Sequence, residues 1–178
     1  MKGIAGYLND LDPHQAGEAL ARCCASQRLV RGLLAARPFA SDRAFLERLA
    51  ALEAMLGAQD WLEAFAAHPR IGSQTMTSAW SHTEQAAAVE ATQSVRQALA
   101  AGNQAYEARF GHVFLICATG LDAATLLRAL ERRLHNEPSA ELAIAAAEQA
   151  KITRLRLAKL MAHPGPELLA EPNRGGLR

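Results

Sequence analysis

The chain has 178 residues, a length at which one ordinary domain can bury a real core without metal or disulfide staples. Its 19 basic and 18 acidic side chains nearly cancel and form no long run of one sign, so nucleic acid and acidic membranes gain no electrostatic support as partners. Cys23, Cys24 and Cys117 fit no zinc spacing or disulfide framework, and no stretch approaches the ~20 apolar residues of a membrane span; free thiols in the cytoplasm are the expectation.

Alanine supplies about one residue in five while Val and Ile are scarce. Alanine loses no side-chain rotamer freedom in a helix, so composition predicts an all-α, single-domain helical bundle of about seven or eight helices. Asp12-Pro13 reads as an N-cap with proline at the first helical position, opening a helix to about Ser26. A second helix is expected from about Gln27 to Arg37, ending before Pro38. Ser41 caps a third, with Phe45, Leu49, Leu52 and Leu56 at helical spacing and Gly57 as its stop. Asp60 caps a short helix, Trp61 to Ala67, which His68-Pro69 terminates. The polar stretch Gly72 to Trp80 reads as a loop. Ser81-x-x-Glu84 has the form of a capping box and opens a long helix to about Ala101. After Gly102-Asn103 a brief helical run reaches Phe110. Val113 to Ala118, bracketed by Gly111 and Gly120, is continuously apolar, and periodicity leaves two readings: an extended segment or one buried helical turn. Asp122 caps a helix to about His135, Asn136-Glu137-Pro138 breaks it, and Ser139 opens the last long helix, ending near Ala162. Residues 1–165 read as one helical domain and 166–178, rich in Gly and Pro, as a mobile tail.

Two segments hold groups suited to proton transfer. His68 precedes a proline, which biases its backbone away from the helical region, and it ends a helix whose dipole favours an imidazolium. Its plainer reading is a helix C-cap. Glu84 stands in the first turn of the Ser81 helix, where the dipole keeps a carboxylate ionised; its plainer reading is a cap acceptor. Ser81 and Gln85 add a hydroxyl and an amide, and helix-terminal N–H groups there suit an anionic or carbonyl-rich ligand. On the last helix, Arg156 lies four after Ile152 and four before Leu160, so it points inward, whereas Arg154 sits on a more polar face. An inward guanidinium needs an anion, either a protein carboxylate or a substrate carboxylate held bidentately. Trp61, Phe65 and Trp80 read as core, with Trp80 placed to wall a pocket. The remaining histidines form no metal constellation, so no metal is expected, and no dinucleotide or phosphate-loop motif occurs.

Five blocks, in order, carry a family likeness: Arg37-Pro38-Phe39, His68-Pro69-Arg70-Ile71-Gly72, Ser81-x-x-Glu84-Gln85, Tyr106-Glu107-x-Arg109-Phe110-Gly111-x-x-Phe114-x-Ile116-Cys117-Ala118, and Lys151-Ile152-x-x-Leu155-Arg156-Leu157. Over nearly the whole chain they resemble the OHCU (2-oxo-4-hydroxy-4-carboxy-5-ureidoimidazoline) decarboxylases of urate degradation. The resemblance implies an all-α, dimeric, cofactor-free enzyme that releases carbon dioxide and (S)-allantoin. It implies His68, Glu84 and Arg156 as catalytic residues, with His68 moving the proton. It also implies Pro69, Ser81, Gln85, Phe114, Leu115, Ile116, Cys117 and Ala118 as substrate-binding residues, the last five through a backbone wall. The sequence departs at His112-Val113, where other members often carry Phe-Pro, which bears on the local shape of that wall. No fused hydroxyisourate hydrolase domain is expected, and the Gly-Leu-Arg at the end does not read as a peroxisomal address, so the cytoplasm is the expectation. A catalytically silent helical binding or regulatory protein for a ureide-like anion is the alternative.

Overall fold

The computed structural model describes residues 3–71 and 93–162. The Gly72–Trp80 loop, the Ser81–Glu84 capping box and the 166–178 tail expected from the sequence lie outside the described residues. The fold is all-α, with eight helices among the described residues: α1 Ile4–Asp10, α2 Pro13–Cys23, α3 Gln27–Ala35, α4 Asp42–Glu53, α5 Ala58–Ala66, α6 Gln93–Phe110, α7 Ala123–Arg133 and α8 Pro138–Ala162. No helix among these residues is long and apolar enough to cross a membrane.

The helix starts have local causes. Asp12 accepts from the Gln15 amide at 2.8 Å with Pro13 at the first position, Ser41 accepts from Ala44, and Asp122 from Thr125 at 2.6 Å. Several elements differ from the sequence reading. Ser26 does not close α2; its hydroxyl accepts from the Leu29 amide and starts α3. Helix α4 stops at Glu53, short of Gly57. Asp60 lies inside α5 and reaches back to the Gly57 N–H at 2.9 Å, the acidic half of a capping box rather than the N-cap itself. Helix α1 was not expected; its seven residues are stabilised by packing more than by propensity, since Ile4, Ala5 and Leu8 are buried and Asp42 accepts from the Ala5 amide.

Helix α6 also differs, because it runs unbroken through Gly102 and Asn103. A Cβ at Gly102 would lie 2.6 Å from Leu130 Cδ2, so glycine permits close packing of α7 there and is no breaker. Asn103 is buried and its amide nitrogen donates to the carbonyls of Leu99 (2.8 Å) and Ile71 (3.0 Å), which engages its donors inside a helix, while its Oδ1 is buried with no partner among the described residues.

The described helices gather into two compact units. The first comprises residues 3–60 and 153–162. In it α2 packs on α3, α3 on α4 and α1 on α4, around Leu8, Leu29, Leu33, Phe45 and Leu49. The Arg37-Pro38-Phe39 block belongs here, with a cis peptide before the proline. Asn9 exchanges two 2.9 Å hydrogen bonds with the Phe39 backbone, and Arg37 donates to the carbonyls of Asn9 and Leu11. The second unit comprises residues 61–71 and 93–152, with a core of Ile71, Leu99, Tyr106, Phe114, Leu126 and Leu130 where α6 packs on α7.

Candidate active site

The His68 stretch is held at three points within the second unit. Helix α5 ends at Ala66 because Pro69 lacks an N–H and disfavours a helical residue before it. The His68 amide still donates to the Phe65 carbonyl at 3.0 Å, closing the last turn and leaving the ring half-buried. Arg70 grips Glu107 of α6 with both arms, Nε to Oε1 at 2.6 Å and Nη2 to Oε2 at 2.8 Å. That hydrogen-bonded pairing holds the Glu107 carboxyl below the ordinary carboxylate range. Ile71 is buried, and its carbonyl takes the Asn103 amide. His68 and Pro69 thus ride on a short strap pinned to two helices.

Residues 113–118 resolve the open alternative in favour of an extended segment. Glycines in left-handed conformations bracket it, Gly111 at φ 75° closing α6 and Gly120 at φ 80° before α7. Phe114, Ile116 and Ala118 all face the core cluster, the period of two that an extended chain imposes. His112 is buried among aromatic rings, 5.2 Å from Phe65 and 5.5 Å from Tyr106, and Tyr106 meets Phe114 edge-on at 5.2 Å. These rings connect the end of α5 to the start of the segment. Imidazole therefore fills an aromatic niche at the position where the sequence departs from the family pattern.

The backbone of this segment is tied on one side. Arg133 Nη1 donates to the Leu115 carbonyl at 2.7 Å, and the Cys117 amide donates to Glu148 Oε2 at 2.8 Å. Arg133 is in turn paired with the fully buried Glu141 and lies 4.7 Å over the Phe114 ring. Lys151 holds the other Glu148 oxygen at 2.6 Å. Phe114 and Ile116 make no backbone hydrogen bond among the described residues. The sequence reading missed Arg133, Glu141 and Glu148. A signal existed for two of them: Arg133 continues the buried Leu126, Ala129, Leu130 stripe, and Glu141 starts the stripe of Ala145, Gln149, Ile152 and Arg156.

Arg156 falls in the first unit, and the choice between the two arginines holds. Arg156 is buried and donates to the Arg22 carbonyl at the last turn of α2, 3.2 Å away. Arg154 is outward and pairs with Glu53 at 2.7 Å. Arg22 itself carries a buried Nε and Nη1 with no hydrogen-bond partner among the described residues. None of the three cysteines is joined in a disulfide; Cys23 and Cys24 are buried, and burial pushes the Cys24 thiol up. His68, Pro69 and Phe114 to Ala118 thus share one unit, Arg156 belongs to the other, and Trp80, Ser81, Glu84 and Gln85 lie outside the described residues.

Comparison with known proteins gives a consistent result. The sequence model of the OHCU decarboxylase family matches residues 9–158. The uric acid degradation bifunctional protein TTL of Arabidopsis thaliana is 40% identical over 145 residues, 78% of this chain and 45% of that protein. The 2-oxo-4-hydroxy-4-carboxy-5-ureidoimidazoline decarboxylase of Mus musculus is 44% identical over 59 residues, a third of each chain. These alignments span less than half the length of either curated relative. Among solved structures, an OHCU decarboxylase crystallised in the presence of (S)-allantoin is similar at a TM-score of 0.69 and 37% identity, covering 80% of this chain and 96% of that one. An (S)-allantoin synthase, at 18% identity and TM-score 0.66, covers 89% of this chain and 54% of its own and shares the fold.

Proposed function

The chain belongs to the OHCU decarboxylase family, and from that footing we propose that it is a carboxy-lyase converting 2-oxo-4-hydroxy-4-carboxy-5-ureidoimidazoline into (S)-allantoin and carbon dioxide in urate degradation. The observation that carries the reading is its 37% identity to an OHCU decarboxylase solved with (S)-allantoin, nearly all of whose length this chain covers. Cytoplasmic residence and a homodimer belong to the same reading.

Losing carbon dioxide leaves an electron pair at the ring carbon. The substrate's own ring imine accepts that pair, so the chemistry asks for no metal or organic cofactor. In this reading Arg156 meets the substrate carboxylate and helps set the breaking C–C bond perpendicular to the ring. His68, paired with Glu84, takes the hydroxyl proton or returns one to a single face of the carbanion-like intermediate, which fixes the product's hand. Pro69, Ser81, Gln85 and backbone groups along one edge of the Phe114–Ala118 segment bind the ring and ureido group. The pinned strap supports the role of His68, since proton transfer needs a ring held in place.

The test supplies fresh OHCU from urate oxidase and hydroxyisourate hydrolase and follows allantoin by circular dichroism. The wild-type chain is expected to produce one enantiomer at an enzymatic rate. A folded His68→Ala variant is expected to lose about 10²–10⁴ in kcat. Retention of rate and handedness in that variant removes His68 from the chemistry. Tight allantoin binding without carbon dioxide release by the wild type would instead identify a silent ureide-binding protein.

A further inference from the structure

We propose that Glu148 and Arg133 are positioning residues for this reaction, gripping one edge of the Phe114–Ala118 segment so that the opposite edge is presented to the ligand. The inference rests on the function proposed above and adds to it two residues that touch the wall from behind.

In an extended chain the N–H and C=O groups of alternate residues point to the same edge. The Leu115 carbonyl and the Cys117 amide therefore share an edge, and both are taken, by Arg133 at 2.7 Å and Glu148 at 2.8 Å. The other edge carries the backbone of Phe114 and Ile116, which make no hydrogen bond among the described residues although Phe114 is only 1% exposed. Enclosed peptide groups seldom stay unpaired. A ligand bearing both N–H and C=O, such as a ureido group, complements that row of acceptors and donors.

The grips also determine which edge faces out. An extended segment with no neighbouring strand is free to slip by one residue, which exchanges the two edges. Arg133 and Glu148 each lock one register. Both are themselves locked: Arg133 by Glu141 and the Phe114 ring, Glu148 by Lys151. The Cys117 amide is consequently assigned to Glu148 rather than to substrate.

Three variants test the assignment, each with its melting temperature, kcat and KM for fresh OHCU, (S)-allantoin affinity and amide hydrogen exchange. Glu148→Ala is expected to fold normally, lose protection at the Cys117 amide, and fall about tenfold in both kcat/KM and (S)-allantoin affinity. Glu148→Gln, which keeps an acceptor for that amide, is expected to stay within about threefold of wild type. Arg133→Lys retains a cation for Glu141 but no second arm for Leu115, and a loss like that of Glu148→Ala is expected. A folded Glu148→Ala with wild-type kcat/KM and affinity would overturn the proposal, as would a Glu148→Gln impaired as deeply as Glu148→Ala. Wild-type protein that leaves OHCU untouched would overturn the parent reading and this one together, an outcome distinct from wild-type turnover with indifferent variants.

Discussion

Glu141 is 0% exposed and its two oxygens are fully engaged. One takes Arg133 Nε at 2.7 Å and the Tyr106 hydroxyl; the other takes the Asn136 amide at 2.6 Å. Burial first, then the hydrogen bond to Glu141, pushes the Tyr106 phenol upward, so it remains a donor throughout the physiological range. Removing one partner of such a pair strands the other in low dielectric. Arg133→Met should therefore cost about 3–5 kcal/mol, read from urea midpoints, whereas adding Glu141→Leu should recover part of the loss. A single-variant cost below about 1 kcal/mol would contradict that account of the pair. The inward direction of Arg156 was legible because Ile152 and Leu160 flank it on one helix face. Its backbone acceptor was not, since the Arg22 carbonyl comes from a helix more than a hundred residues away.

At the scale of the element, local chemistry explains most of the helix starts. Asp12, Ser41 and Asp122 act within three residues of themselves, so their caps are visible in the chain. Gly102 misleads for the opposite reason: its job is set by Leu130 on α7. Gly102→Ala should gain about 0.5–1 kcal/mol in helix propensity and lose about 1–3 kcal/mol to overpacking. Leu130 is fully buried and has little room to retreat, so a net destabilisation is expected, measured as a lowered melting temperature. A melting temperature above wild type would show that the contact yields easily.

For the whole molecule, acid sensitivity follows from carboxyls stabilised by folding. The Arg70 hydrogen bonds lower the Glu107 carboxyl, so its contribution is present above the ordinary carboxylate value of 4.5 and is lost as pH falls through the lowered folded value. Glu107→Gln should melt below wild type near neutral pH, and the gap should close as pH falls below the ordinary carboxylate value and through the lowered folded one. A gap unchanged on acidification would place the effect in packing instead. The sequence alone determined the all-helical class, the main caps, the pre-proline end of α5, the inward Arg156 and the family, because each depends on residues within a few positions or on the order of short blocks. Only the tertiary structure decided that Gly102 permits packing, that α1 forms, that Val113 to Ala118 is extended, and that Arg133 and Glu148 grip one side of it. Those outcomes depend on partners distant in the chain, whose approach no local propensity or period encodes.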